Sequence, residues 1–266
     1  MKHLVAAAVL VLVVVSVPLC VSQLHFPIHE HSHVTFPMIK QRTLYKEYSP
    51  YWELEHNPKR KMALLIDDMQ EEHRTYFSPR AVQQAQKILA AFRRHNLPII
   101  WSFWSRTYGD GRQGSVDRFY GDTGLGSSAN PCYVWEADGL KLMPEVAPHY
   151  SHEWDNTVAS DHYDMFSNLG KHGESVVWEI LKGNDVDTVI VVGAWTDMCI
   201  LTTALSAFQK EYDVIVPRDA VGTPTPHGRS ALEILNSVCC HTFPVAEIVH
   251  FLDHGRHPAN ETVASA

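Results

Sequence analysis

Apolar and polar positions along this chain fall into blocks, and the period changes from one block to the next. The stretch "KMALLIDDMQ" (61–70) is an apolar run of strand length that ends in two acids. Ser78 and Pro79 then supply an N-cap and a first-turn proline, and Val82, Ala85, Ile88, Leu89 and Phe92 recur at helical spacing, which predicts a helix over 79–95. "LPIIWSFW" (97–104) reads as a second buried strand. From 105 to about 152 the chain is rich in Gly, aromatic and polar residues, the pattern of a long irregular excursion that forms a wall or lid. Alternation then resumes. A short strand near 156–159 precedes a helix near 174–181, "DTVIVVG" (187–193) is a continuous strand, and a helix follows Thr196. After it come the strand "YDVIVP" (212–217), a helix near 229–237 and a last strand near 245–249. Strands alternating with helices imply right-handed crossovers and an α/β fold whose parallel sheet is covered on both faces. Ligands of such sheets bind at the carboxyl ends of the strands. Asp67 and Asp68 end one strand, and residues 194–199 follow another.

The two ends of the chain read differently. Residues 1–22 begin with Lys2 and His3, continue as "LVAAAVLVLVVVSVPL" and close on small or polar residues. That is the pattern of a secretory signal peptide, because the run is shorter than the roughly 20 residues a spanning helix needs. The expected organisation is a signal peptide (1–22), an extended N-terminal arm (23–58), one folded domain (59–255) and a flexible tail (256–266). The mature protein is expected to be secreted, with no membrane contact after signal removal. Losing Lys2 takes the formal net charge from -8 to -9, and an acidic surface repels phosphate backbones, which excludes nucleic acid as a partner. His29, His31 and His33 share one face of the arm if it is extended, yet a solvated arm is the simpler expectation, and no metal or cofactor is assigned.

Export changes how the cysteines are read. Cys20 leaves with the signal, while Cys132, Cys199, Cys239 and Cys240 remain in an oxidising compartment. A bridge from Cys132 to Cys239 or Cys240 is expected if Cys199 is kept for chemistry. Cys199 stands where a helix begins after a buried strand. Unpaired amides and the positive dipole end at such a place lower a thiol pKa, and the same amides can hold an oxyanion. The plainer reading is a small, buried, apolar residue. Trp101, Trp104, Tyr108, Tyr120, Tyr133 and Trp135 are candidates for an aromatic pocket over Cys199, or for packing of the excursion itself. Arg106, Arg112 and Arg118 are candidates to meet a substrate carboxylate, or else a solvated face.

"ALLIDDMQ" together with "VVGAWTDMCILTTALSAFQKEYDVIVPRDAVGT" resembles the isochorismatase-like cysteine hydrolase family, which includes nicotinamidases and other small-amide hydrolases. The resemblance spans about residues 61–249. It implies a three-layer α/β/α, Rossmann-like domain and a triad of Asp, Lys and Cys. By position, Asp68 matches the general base and Cys199 the nucleophile, leaving Asp67 as an extra acid at the strand end. It also implies a cis peptide at Ala194-Trp195 and an oxyanion hole made by the backbone amides of Trp195 and Cys199. The lysine is where the match breaks: "VASDHYDMF" (158–166) aligns on Tyr163 and Phe166 and puts Ser160 at that position. Lys⁺ offsets the repulsion between carboxylate and forming thiolate, so His162, Lys141 and Arg118 are the candidate substitutes. Tyr163 and Phe166, with Trp101 and Trp104, are expected to touch substrate. "WSFWSRTYGDG" (101–111) lacks the metal-binding Asp-x-His of nicotinamidases, which counts against that activity. The implied function is a secreted hydrolase of a small amide or enol-ether, working without a cofactor and expected as a homo-oligomer. The alternative is an inactive pseudoenzyme that binds a small ligand or a protein partner.

Overall fold

The computed structural model describes residues 61–105, 115–120, 141–160 and 162–255, all within one compact unit, Arg42–Ala266. The expected signal peptide, arm and tail lie outside the described residues, as do Arg106, Tyr108, Arg112, Cys132, Tyr133 and Trp135. Ser160 and Tyr120 are described by backbone alone.

Strand β1 (Lys61–Asp67) lies mid-sheet because every residue after Lys61 is buried. It pairs in parallel with β2 (Ile99–Trp104) on one side and β4 (Val186–Ala194) on the other. Strand β3 (Thr157–Ser160) extends the sheet beyond β2, and β5 (Asp213–Ile215) extends it beyond β4. The order is β3-β2-β1-β4-β5, with the short β6 (Val221–Gly222) pairing the end of β4. All these pairings are parallel, and the crossovers are long enough to carry helices.

Successive side chains of β1 point to opposite faces. Met62, Leu64 and Ile66 join one core with α1 (Pro79–Arg94) and α7 (Val245–His254). Ala63 and Leu65 join the other core with α4 (Val176–Gly183), α5 (Cys199–Gln209) and α6 (Gly228–Val238). The α/β/α layering is therefore observed. Ser78 caps α1 by accepting from the Ala81 N–H at 3.1 Å, and Pro79 occupies the first turn. Two short helices, α2 (Ser115–Tyr120) and α3 (Ser151–Trp154), belong to the excursion.

The strand expected over 245–249 is instead the first half of α7. Val245, Ile248 and Phe251 recur every three residues as its buried face, a period that five residues are too few to show. Asp219 caps it, accepting from the Val245 N–H at 2.9 Å.

The close approach of β1 and β4 depends on Gly193. Its φ is +130°, and a Cβ there would lie 1.8 Å from the Asp67 carbonyl oxygen. Gly193→Ala is expected to destabilise the protein by about 3 kcal/mol or more through overpacking and backbone strain, read as a fall in Tm and in denaturant midpoint. Asp219→Ala, which removes only the α7 cap, is expected to cost about 1 kcal/mol in the same measurement.

Candidate active site

At the end of β1 the chain turns sharply. Asp68 has φ +52°, a conformation that Asp tolerates better than most side chains, and its carbonyl oxygen accepts from the Gln70 N–H (2.9 Å). The same carbonyl lies 2.6 Å from His73 Nδ1, which therefore carries a proton and donates. Burial pulls the His73 pKa down to about 4, so this ring is a neutral brace and not a cation. Gln70 clamps β2 by accepting from the Trp104 N–H (2.8 Å) and donating to the Trp104 carbonyl (3.1 Å). The excursion returns here too. Glu71 N–H donates to the Lys141 carbonyl (2.8 Å), and Met143 N–H donates to the Met69 carbonyl (2.9 Å).

Both acids are buried, at 1% exposure for Asp67 and 2% for Asp68. Ser102, from the middle of β2, stands between them with Oγ 2.9 Å from Asp67 Oδ1 and 2.8 Å from Asp68 Oδ1. The Asp68 N–H donates to this Oγ at 3.2 Å. Asp67 Oδ2 reaches no hydrogen-bond partner among the described residues.

At the end of β4 the Ala194-Trp195 peptide is cis. Thr196 N–H then donates to the Gly222 carbonyl (3.0 Å), and the Asp197 carboxylate accepts from the hydroxyls of Thr223 (2.6 Å) and Thr225. These contacts fix the turn that delivers Cys199 as the first residue of α5. No side chain caps that helix, and neither the Trp195 nor the Cys199 amide donates to a backbone carbonyl of a described residue. The Cys199 thiol lies under the influence of both the Trp195 N–H and the Asp68 carboxyl, the N–H lowering its pKa and the carboxyl raising it. One turn further on, Thr202 and Thr203 hold the chain after β3. Thr202 Oγ1 lies 2.9 Å from the Tyr163 carbonyl, and Thr203 Oγ1 accepts from the Met165 N–H at 3.0 Å.

Desolvation dominates the electrostatics. Burial raises Asp68 to a pKa of about 7, against hydrogen bonds from Ser102, Cys199 and the Trp104 N–H that favour its charge. Burial also raises Asp67 well above the carboxylate range, and the Asp68 charge adds to this. The Cys199 thiol is pushed well up, first by burial and then by the charges of Asp68 and Asp67. The low thiol pKa expected from the helix start is thus corrected: the Trp195 N–H pulls the other way and loses. Cys199 is a free thiol and, at 5% exposure, buried.

The remaining sequence candidates separate clearly. Trp104 and Tyr163 meet beside the acids with ring centroids 6.4 Å apart. Trp195 meets the rings of Tyr76 and His73 edge-on. Trp101 and Phe166, expected to touch substrate, are core residues. The Trp101 indole N–H donates to the Val146 carbonyl (2.8 Å) on one side of the sheet, and Phe166 stacks on Tyr212 on the other. Ser160 ends β3 opposite Trp104, which puts its backbone two strands from β1, about 10 Å away at normal strand spacing. His162, Lys141 and Arg118 are exposed. Among the described residues, the groups that shift Asp67, Asp68 and Cys199 are Ser102, Thr203, Trp104, Trp195, Asp164 and one another, and none is a cation. Cys239 and Cys240 are free thiols with sulfurs 3.0 Å apart, and their expected partner Cys132 lies outside the described residues.

Sequence reasoning missed Ser102, Gln70, His73 and Thr203. Ser102 had a signal, a lone hydroxyl inside "IIWSFW". Gln70 and His73 had none apart from their closeness to the acids.

Comparisons with known proteins agree with this fold. A family model, the isochorismatase domain, matches residues 62–241. The uncharacterized isochorismatase family protein YaaI of Bacillus subtilis (strain 168) is 26% identical over 93 residues, covering 34% of this chain, and the chain spans about half (51%) of that relative's length. Among solved structures, a cysteine hydrolase from Pseudomonas syringae pv. phaseolicola 1448A is similar at TM-score 0.59 and 23% identity, covering 74% of this chain and 94% of that one. N-carbamoylsarcosine amidase from Thermoplasma acidophilum is similar at TM-score 0.53 and 24% identity, covering 70% and 98%. Pyrazinamidase/nicotinamidase from Streptococcus mutans UA159 matches at TM-score 0.51 and 21% identity, covering 67% and 97%. At these identities the structures speak for the fold. With the family model spanning well over half of its residues, the chain belongs to the isochorismatase family.

Proposed function

We propose that this isochorismatase-family hydrolase is a secreted cysteine hydrolase that cleaves a small amide, with an enol-ether as the other substrate class. The observation that carries the reading is a buried thiol, Cys199, at the first residue of α5, with the buried Asp68 carboxyl and the Trp195 N–H both acting on it. An amide gives this thiol a role that an enol-ether does not require. The Asp68 carboxylate takes the Sγ proton and Sγ attacks the carbonyl carbon. The Trp195 and Cys199 amides receive the oxyanion. Collapse forms a thioester and breaks the C–N bond, the amine leaving with the proton from Asp68. Asp68 then accepts a proton from water, which attacks the thioester and frees the acid and the thiol. Trp104, Tyr163 and Trp195 supply flat apolar surface for a small substrate, and two of the similar structures are amidases by name. The second reading, a ligand-binding pseudoenzyme, draws on the serine at position 160 and on a thiol whose proton is held tightly.

A panel of small primary amides and N-carbamoyl amines, with ammonia release and intact mass as readouts, tests the two readings. Cys199→Ser is expected to abolish both turnover and the acyl-enzyme mass, and Asp68→Asn to lower kcat about 10²- to 10⁴-fold. If no amide or vinyl ether is turned over and no acyl-enzyme forms, the pseudoenzyme reading replaces this one.

The pH dependence follows from Asp68. Its base form is needed and its pKa is about 7, so kcat/KM is expected to rise with pH through a midpoint near that value and to lose this limb in Asp68→Asn. Stability carries the opposite sign. Folded Asp68 keeps its proton up to a pH at which the unfolded chain has lost it, so its contribution is complete below the unfolded carboxylate value and fades as pH rises through about 7. Secretion is checked separately: protein recovered from the medium of expressing cells should begin close to Gln23.

A further inference from the structure

The Asp67 carboxyl has no part in the steps above, yet it is buried against the residue that does. We propose that Asp67 and Asp68 hold one proton between them, carried by Asp67. Asp67 is thereby a positioning residue that keeps the charge facing the Cys199 thiol to a single carboxylate. The proposal deepens the hydrolase reading and rests on it for its catalytic meaning; the proton assignment itself does not need a substrate.

The Ser102 hydroxyl has one hydrogen for two carboxyl groups. Ser102 Oγ lies within 2.9 Å of a carboxyl oxygen on each acid and also receives the Asp68 N–H. If both acids were ionised, Oγ–H would satisfy one of them and turn lone pairs towards the other across less than 3 Å. One added proton resolves the conflict. Asp67 Oδ1–H donates to Ser102 Oγ, and Ser102 Oγ–H donates to Asp68 Oδ1.

The proton belongs on Asp67 and not on Asp68 for a second reason. Asp68 has the Cys199 thiol and the Trp104 N–H, whose main partner is Gln70, both acting to favour its charge. Asp67 Oδ2 has no hydrogen-bond partner among the described residues, which a buried carbonyl of a neutral acid tolerates far better than half of a carboxylate. Among the described groups that act on Asp67, burial and the negative charges of Asp68 and Asp164 favour the proton, and they outweigh the hydroxyls of Ser102 and Thr203, which pull the other way. Nearby Cys199 is a thiol, and His73, bonded to the Asp68 carbonyl, is a neutral ring.

This arrangement limits the cost of ionising Cys199. When Asp68 takes the thiol proton, both acids are neutral and the thiolate is the one negative charge among the three groups. With Asp67 ionised, the same transfer would leave thiolate and carboxylate together in a buried site where, among the described residues, no cation acts on them.

The test is the rate of iodoacetamide alkylation at Cys199, resolved by peptide mapping, against pH in the full-length mature protein and in Asp67→Asn. Asparagine keeps the shape and the neutrality assigned to Asp67 but cannot ionise. The expected result is parallel profiles around neutrality that separate on the alkaline side, where the variant reacts about fivefold or more faster because only the parent acquires a second carboxylate charge. An increase of about tenfold or more already at pH 7 would mean that Asp67 is charged in the parent, and it would overturn the proposal. Infrared spectroscopy of the unmodified parent in D₂O covers the case in which Asp67→Asn does not fold. A buried protonated-carboxyl band is expected to persist at about pH 8, above the Asp68 midpoint, and its absence there overturns the assignment. Since alkylation needs no substrate, parallel neutral profiles in a protein that turns over no amide would uphold the proton assignment while the hydrolase reading fails.

Discussion

The main chains of Asp67 and Gly193 meet where β1 and β4 end, so closely that any side chain at position 193 would collide with the Asp67 carbonyl oxygen. The contact brings a strand that ends in carboxyls against a strand that ends in a turn and a thiol. Were the strands spread at that level by the width of a methyl group, Asp68 and Cys199 would be drawn apart. Much of the surrounding detail serves to hold this junction. Gln70 locks β2 to the turn after β1, Asp197 locks the turn after β4 to residues 223–225, and Thr203 locks the chain after β3 to α5. Two cores, one on each face of the sheet, fix the strands themselves.

How much of this is legible in the sequence follows from the range of each signal. Strands and helices with a clear period, such as β1, α1 and β4, are readable because burial on one or both faces writes itself into consecutive residues. The 245–249 segment is not, since "VAEIV" satisfies a strand and the first half of a helix equally, and the deciding contacts come from Asp219 and from Phe251 further along. For the site, the proposed nucleophile and base, Cys199 and Asp68, are suggested by their places at strand and helix ends together with the resemblance. Trp101 and Phe166 show the limit of reading aromatics by type: an indole in mid-strand faces a core or a ligand according to its parity in the sheet, and parity relative to a site is a tertiary fact. Ser102 shows the same limit from the other side, because a hydroxyl in an apolar strand acquires meaning only when two acids from the next strand close on it.

The thiol decides which electrostatic effect dominates. A helix N-terminus is worth about 0.3 to 1 kcal/mol, and up to about 2 in favourable buried geometry. Complete burial shifts a titrating group by as much as about 3 to 5 pKa units, each worth about 1.36 kcal/mol. The two adjacent acids add to the burial and the Trp195 N–H subtracts from it, so the position of Cys199 at a helix start does not make a resting thiolate.

A thiol that stays protonated at rest gives the Asp68 carboxyl more to do than it would have beside a pre-formed thiolate. In the proposed reaction, proton transfer and attack must then be coupled, because a free thiolate next to a carboxylate, buried and with no cation among the described residues acting on it, lies too high in energy to accumulate. Coupling requires an acceptor whose basicity is raised towards that of the thiol, and the burial that impedes Cys199 is what lifts Asp68 to a pKa of about 7. The same desolvation therefore weakens the nucleophile and strengthens its base. Under the hydrolase proposal, this mutual adjustment, and not a stabilised thiolate, is the physical route by which a buried cysteine at this position becomes reactive.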